Sequence, residues 1–535
     1  MNAVSQGAGD HGGKSVALAL ALFATRMNAI CEEMGATLRC AAFSPNIRDR
    51  LDYSCALFDA QGHLCAQAAH IPVHLGSMAH AMTTVVHELD WSQGDMVVFN
   101  DPYRGGTHLP DVTLVAPVFV DGKLVAFAAN RAHHADIGAE SAGSMPVSRS
   151  LQEEGVVIPP CYWLKGGQPE MAVIEPILSR MKLRSVSEGD FSAQIAANRA
   201  GVGRLQALVV QLGLEGFAMQ LEALNDYGRT LATQALAKIP DGEYCFRDVM
   251  DDDGQPDLGG QDLEIAVQVT AQGGRIRVGF DGTAPQVQGN INCPLSVTAA
   301  AVHYVLRCLM PPQTPACAGV FDCVEIDAPP GCLVNARFPA AVAAGNVETS
   351  SRIVDALLGA LAIAMPNRIP AASQGTMNNV AMGSAASAAA TAQHWDYYET
   401  IGGGMGAGPL ADGLSGVQTH MTNTLNTPVE VLESCYPLRI EGYRLRHGSG
   451  GEGRQQGGDG VIRSFRFLAD AEVSLLTERR RLAPWGLQGG APGLAGENCL
   501  NGERLPAKIN RQVSAGDLLR IATPGGGGWG AKTQN

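Results

Sequence analysis

The chain has 535 residues, 46% of them hydrophobic and 17% charged, more than one core accommodates and enough apolar material for several packed subdomains. A formal net charge of −14 sets the bulk field against nucleic-acid backbones and anionic membranes, so neither is expected as a partner. The 13 cysteines are odd in number and scattered, with no C-x-x-C pair, which argues against a disulfide framework or a thiolate zinc site and fits a reducing cytoplasm.

In chain order, a loose Gly- and Ser-containing start gives way to a helix predicted from Ser15 to about Leu38. Its apolar run Val16 to Ala24 follows Lys14 as a secretion signal would. Arg26 and the Cys31-Glu32-Glu33 that follow instead indicate a buried helix. No other stretch approaches the roughly 18 to 20 apolar residues of a membrane span. Asp52 to Phe58 alternates as a strand into a turn at Asp59 to Gly62. A His-rich helical segment, Gly76 to Leu89, precedes the strand Met96 to Phe99. Val112 to Val120 and Lys123 to Ala129 read as a hairpin closed by Asp121-Gly122. Long helices are expected over Phe191 to Leu236, and Pro240-Asp-Gly242 opens a β-rich section that includes Leu263 to Thr270 and Arg275 to Phe280. Helices follow at Val297 to Leu309 and Ser351 to Ala364, then Gly-punctuated short strands. The reading is α+β, with several subdomains of mixed sheets and interleaved helices. The expected regions are 1–237, α+β and metal-bearing; 238–345, β-rich; and 346–535, Gly-rich α+β.

The hairpin carries the chemistry. Gly105-Gly-Thr-His-Leu-Pro-Asp111 enters it and Asn130-Arg-Ala-His-His-Ala-Asp136 leaves it. If Val120 faces Lys123, counting back sets Pro110 opposite His133 and Leu109 opposite His134, so His108 and Asp111 lie beside the histidine pair, within the about 4.5 to 5.5 Å of cross-strand neighbours. Imidazole with carboxylate suits a divalent Zn, Mn or Fe with positions left for water or substrate, and such water becomes a nucleophile at neutral pH. Strict pleating groups His133 with His108 and His134 with Asp111, so strand geometry leaves the choice of histidine open.

Other chemistries lack their motifs. Gly13-Lys14-Ser15 imitates the end of a phosphate loop, but Ala8 stands where its first glycine is required and no strand precedes it. The G-x-G-x-x-G spacings at Gly448, Gly450, Gly453 and at Gly525, Gly527, Gly530 open no apolar helix. There is no G-x-S-x-G elbow and no H-E-x-x-H. Cys55 and Cys293 read as buried thiols.

Taken together, Ser44 to Asp59, Asn100 to Asp111, Asn130 to Gly138, Glu154 to Pro160, Gly289 to Pro294, Asn346 to Ser350, Gly375 to Asn379, Gln418 to Thr424, Gly457 to Gly460 and Thr523 to Gly530 resemble the hydantoinase B/oxoprolinase family. That family includes N-methylhydantoinase, 5-oxoprolinase, lactamase and the metal subunits of acetone and acetophenone carboxylases. The resemblance spans nearly the whole chain. By motif it implies one divalent ion, Zn or Mn, held by His108, Asp111, His133 and an acidic fourth ligand at Asp52 rather than Asp49. His134, Asp136 and Glu154 are implied as groups that support the ligands or handle protons. It further implies a hydantoinase A-like partner subunit that binds ATP, which this chain does not, in a hetero-oligomer with two copies of each subunit. That partner phosphorylates a carbonyl oxygen of a small-molecule substrate, and this subunit completes hydrolysis of a hydantoin, oxoproline or lactam. Ketone carboxylation is the alternative activity, and a non-catalytic scaffold with packed histidines is a third reading.

Overall fold

A computed structural model describes residues 9–68, 71–255, 262–384 and 394–532. The first helix runs Gly9–Ala41, longer at both ends than predicted. Phe23, Met27, Ile30, Met34 and Leu38 recur at helical spacing and are buried, forming its inner stripe. That stripe faces the helix Arg184–Leu212, where a Cβ on Gly201 would stand 2.4 Å from the Met34 sulfur, so the missing side chain admits the methionine. Burying a side chain of this size contributes about 1.5–3 kcal/mol.

Seven strands form the sheet beneath these helices: β1 (Tyr53–Asp59), β2 (Leu64–Gln67), β3 (Met96–Phe99), β4 (Asp111–Val120), β5 (Lys123–His133), β6 (Cys161–Lys165) and β7 (Gln168–Pro169). Their spatial order is β2-β1-β5-β4-β3-β6-β7, with antiparallel neighbours throughout. The central strands are covered on both faces, which explains why β4 reads as an almost unbroken apolar run. Ala56, Phe58, Val97, Phe99, Val115, Phe127 and Ala129 pack under the helix Pro72–Glu88. Their sequence neighbours point the other way, toward Ala193 and Ala197 and toward Phe191 of the helix Arg184–Leu212.

The predicted Asp121-Gly122 turn closes the hairpin, Asp121 and Gly122 both adopting positive φ. Val120 pairs with Lys123 and Phe119 with Leu124, but Val118 then pairs with Ala126. The unopposed Val125 is a β-bulge that slips the register by one residue beyond it. Asp111, rather than Pro110, therefore faces His133. The correction matters because one residue of slip exchanges the faces of every side chain that follows.

The remaining sheets are built mostly from later sequence. Gly242–Met250, Leu263–Gln272, Arg275–Gly279 and Val324–Asp327 form four strands, the last pair parallel. The helix Ser350–Ala364 lies against them, and Gly359 admits the Phe246 ring, which a Cβ would meet at 2.5 Å. Asn379–Ser384, Asp396–Glu399, Ala471–Leu476 and Lys508–Val513 form a third sheet. Leu438–Arg446, Gly460–Phe467, Leu518–Ala522, Glu497–Leu500 and Glu503–Leu505 form a fourth. The last two share a core that includes Val380, Met382, Leu475, Phe465 and Ile521. Beside them, glycine segments pack backbone to backbone. A Cβ on Gly404 would lie 2.0 Å from the Gly458 oxygen, and one on Gly526 would lie 2.1 Å from the Met405 oxygen. Gly458 N–H donates to Met405 O and Gly526 N–H to Gly458 O, both at 2.9 Å. Interleaved helices and mostly antiparallel sheets make the protein α+β, as expected, and the largest apolar cluster draws residues from Phe23 to Leu476. Among the described residues no single helix is long and apolar enough to cross a membrane.

Candidate metal centre

The centre forms where the hairpin opens. The chain before β4 is tied down by Asn100, whose side-chain amide donates to Leu109 O and whose oxygen accepts from Ile158 N–H. A Cβ on Gly106 would stand 2.3 Å from Asn100 O, so glycine is required for the approach that turns His108 inward. On the other strand His133 N–H donates to Asp52 O at 3.0 Å, extending the β1–β5 pairing and drawing Asp52 alongside.

Pleating then sorts the side chains. Asp111, Thr113, Arg131 and His133 share the face under the helix Pro72–Glu88, where Arg131 donates to Thr113 and Ser77. His134 points to the opposite face, with Nε2 at 3.0 Å from Gln194 Oε1 and its ring against Phe191. The bulge thus decides between the two histidines, bringing His133 together with Asp111 and turning His134 away.

His108, Asp111 and His133 place three potential ligand atoms within 4.8 Å of one another, all buried. Asp111 Oδ1 is 3.3 Å from His108 Nε2 and 3.3 Å from His133 Nδ1, yet Oδ1 has no hydrogen-bond partner. Both ring nitrogens of His108 and Nε2 of His133 are likewise without one. Two ligands about 2.0–2.1 Å from a tetrahedral ion stand roughly 3.3 Å apart, so close but unbonded atoms at this spacing suit a shared cation. Asp111 Oδ2 is oriented instead by protein donors. Thr107 Oγ1 donates to it at 2.6 Å, His74 Nε2 lies at 3.3 Å and Asn346 Nδ2 at 3.5 Å. Ser54 Oγ accepts from Ile71 N–H and sits 3.0 Å from His74 Nδ1, fixing the ring so that Nε2 faces the carboxylate. Burial resists charge on Asp111, but the fields of His108 and His74 prevail and hold its carboxyl well below the usual range. Burial also resists charge on both imidazoles. Asp111 overcomes this at His108, which is raised, whereas His133 is lowered and stays neutral, the form that binds metals.

The space enclosed is about 20 Å³, lined also by Asp52, His74, Asn346, Met377, Tyr398 and Met421. Such a volume holds an ion or a single water. Tyr398 stacks on His133 with centroids 4.8 Å apart, and the buried Arg50 lies over the Tyr398 ring at 4.7 Å. Asp52 is 3.8 Å from Arg50 Nη2. Asp49 pairs instead with the half-exposed Arg48 at 3.0 Å.

The three residues expected to support the ligands or handle protons stand outside this cavity lining. His134 is bound to Gln194 as described. Asp136 accepts from Gly138 N–H and Leu183 N–H, securing the loop after β5 to the start of the helix Arg184–Leu212. Glu154 Oε1 accepts from Ser148 and from the N–H groups of Val342 and Ala343. Burial raises the Glu154 carboxyl to about 7, and its Oε2 is unpartnered. Cys55 and Cys293 are buried thiols raised well above their usual range by desolvation, as the sequence suggested. The sequence reading missed His74, Thr107, Asn346 and Tyr398. Thr107 and Asn346 do lie inside quoted motifs, and His74 just precedes the segment read as His-rich.

Comparison with known proteins sets this geometry in a family. Residues 17–532 match hydantoinase B/oxoprolinase. The chain belongs to the hydantoinase B/oxoprolinase family. This family member is 39% identical to 5-oxoprolinase 1 of Arabidopsis thaliana over 96% of its own length, covering 42% of that protein. It is 38% identical to an uncharacterized protein of Methanocaldococcus jannaschii, covering 94% of this chain and 88% of the relative. The chain thus spans about two fifths of that oxoprolinase and nearly all of the archaeal relative. Among solved structures, the ATP-dependent caprolactamase from Pseudomonas jessenii superposes with a TM-score of 0.89 at 27% identity, over 96% of this chain and 91% of its own. An acetone carboxylase chain shares the fold, with a TM-score of 0.84 at 18% identity, over 95% and 75%.

Proposed function

We propose that this member of the family completes the hydrolysis of a cyclic amide whose carbonyl oxygen has been phosphorylated by a separate ATP-using partner of hydantoinase A type. His108, Asp111 and His133 would hold one divalent ion, Zn or Mn, with Asp52 as the fourth ligand. The observation that carries this reading is the buried trio, whose potential ligand atoms lie within 4.8 Å of one another and include Asp111 Oδ1 and His108 Nε2, which have no hydrogen-bond partner. A scaffold with packed histidines would leave those atoms unsatisfied, at about 1–3 kcal/mol each. A bound divalent ion supplies Lewis acidity toward the substrate oxygen and an activated water at neutral pH.

The chain's own residues prepare that chemistry. Thr107, His74 and Asn346 occupy Asp111 Oδ2 and so direct Oδ1 inward. Tyr398 and Arg50 fix the plane of the His133 ring. Glu154 is the proton-holding candidate, since burial places its carboxyl near neutrality. His134 and Asp136 secure the two sides of the loop after β5. Hydrolysis is favoured over carboxylation by the names of the relatives, an oxoprolinase at 39% identity and a caprolactamase at 27%. The 13 free cysteines support placement in the cytoplasm.

The test is reconstitution with the ATP-using partner, following ring opening of 5-oxoproline, hydantoin and caprolactam. Turnover is expected only with both chains and ATP. It should be lost in His108→Ala together with about one equivalent of metal. Wild-type chain that holds neither Zn nor Mn, or a His108→Ala chain that turns over normally, would falsify the reading.

A further inference from the structure

The helix Ser350–Ala364 is entered through one π-helical turn, Gly345–Thr349, in which Ser350 N–H reaches back five residues to Gly345 O. Such turns are rare and recur at functional sites. Close packing holds this one in place. A Cβ on Gly345 would stand 1.8 Å from Asn292 O, and the Asn292 amide is itself tied to Val287 O, Gly289 O and Ala341 O. Ser350 Oγ closes the turn by donating to Asn346 O at 2.6 Å.

Residues two apart on a helical turn do not face each other, so Asn346 and Glu348 reach in different directions. Asn346 lines the metal cavity, with Nδ2 3.5 Å from Asp111 Oδ2. Glu348 is fully buried and turns to the third sheet, where its Oε1 accepts from Met377 N–H at 3.1 Å and from Asn379 Nδ2 at 2.7 Å. The same Asn379 nitrogen donates to Leu476 O at 3.0 Å, and Asn379 Oδ1 accepts from the Tyr398 hydroxyl at 2.6 Å. Groups with a single role fix the direction of these bonds. Met377 N–H can only donate, so Glu348 Oε1 accepts. Leu476 O can only accept, so the Asn379 nitrogen lies on that side and the Tyr398 hydroxyl is left to donate. The Tyr398 ring then stacks on His133 with 7° between their planes. An oriented line of contacts therefore runs from Glu348 to the His133 ring.

We propose that Glu348 is a positioning residue of the metal centre, holding the His133 ring at its angle through Asn379 and Tyr398, while Asn346 of the same turn holds Asp111. One helical turn thereby sets two of the three clustered ligands from outside the hairpin. This assignment rests on the metal-centre reading and extends it to a residue beyond the cavity lining.

The full-length chain is titrated with Mn by competition with a chromophoric chelator, and with cobalt(II), whose visible absorption reports ligand geometry. Glu348→Leu should bind Mn about tenfold more weakly, the lower end for groups that orient metal ligands, and should shift the cobalt spectrum. Glu348→Gln keeps the accepting oxygen, and its amide nitrogen replaces Oε2, which has no hydrogen-bond partner, so affinity and spectrum should stay as in wild type. Tyr398→Phe keeps the stack and cuts the line at the hydroxyl. It should reproduce the loss, and adding Glu348→Leu to it should weaken binding no further. Wild-type affinity in folded Glu348→Leu, additive losses in the double variant, or Glu348→Gln as weak as Glu348→Leu overturns the proposal and leaves the metal centre standing. If Glu348→Leu fails to fold, Tyr398→Phe decides, and unchanged affinity and spectrum there are equally fatal. A wild-type chain that binds no divalent ion removes the metal reading and this proposal with it.

Discussion

Replacing His74 by leucine leaves His108, Asp111 and His133 in place but removes one of the donors that orient Asp111 Oδ2. A hydrogen bond to a charged acceptor contributes about 1.5–3 kcal/mol. At 3.3 Å the His74 contact belongs near the lower end, whereas the Thr107 contact at 2.6 Å belongs near the upper. The expected loss of metal affinity is therefore about tenfold for His74→Leu and about a hundredfold for Thr107→Val, in line with other groups that orient metal ligands. Affinity would be measured for Mn and Zn by competition with a chromophoric chelator after refolding, with thermal unfolding in excess chelator to confirm that each variant folds. Folded variants with wild-type affinity, or a reversed order of the two, would refute the account of how Oδ1 is aimed. His108→Ala should bind neither ion measurably.

Three further outcomes follow from groups away from the ligands. Burial raises the Glu348 carboxyl from 4.5 to about 8. Because its folded value lies above its unfolded one, its contribution to stability is complete below about 4.5 and is lost as pH climbs through about 8. A shift of that size links to roughly 4–5 kcal/mol. In urea unfolding between pH 5 and 9, Glu348→Gln should accordingly lose much less stability than wild type, and parallel profiles would contradict the assignment. Arg463 holds Glu399 by two bonds, at 2.6 and 3.0 Å, with both side chains fully buried. Arg463→Met should cost about 3–5 kcal/mol by stranding the carboxylate, visible as a lower urea midpoint. Among the glycines, Gly526→Ala should destabilise severely or prevent folding, since its Cβ meets Met405 O at 2.1 Å. Gly203→Ala, mid-helix with nothing within 4 Å, should raise stability by about 0.5–1 kcal/mol. Equal Tm changes for the two would refute the packing account.

Much of the site is legible in the hairpin because its signals are local. Asp121-Gly122 fixes the turn, the β-rich runs fix the strands, and the flanking His and Asp residues are brought together by that pairing alone. The bulge at Val125 was not legible, since nothing in Lys123 to Ala129 marks which residue loses its partner, and it turns His133 rather than His134 to the face of Asp111, a choice that pleating alone left open. Asp52 was expected as a ligand through family resemblance; it lines the cavity beside the trio of His108, Asp111 and His133, where its carbonyl accepts from His133 N–H. His74, Asn346 and Tyr398 reach the cavity through helix and sheet packing between distant segments, and no periodicity within their own segments encodes that meeting. The third and fourth sheets were foreseen only as Gly-punctuated strands, because glycines there serve backbone contact rather than a turn signature.

The ion-sized cavity also bears on how the protein would acquire the proposed metal. The residues proposed to hold it fall between 52 and 133, but Met377, Tyr398, Thr400, Met421 and Thr422 close the cavity. During synthesis the ligand hairpin leaves the ribosome well before the segments that seal it. An ion bound at that time would be enclosed, and later exchange would require part of the wall to open. Occupancy would then record the cell's metal supply during translation as much as the site's selectivity. Chains refolded with Mn should keep it through a later challenge with Zn far longer than folded Met421→Ala chains, in which part of that wall is removed.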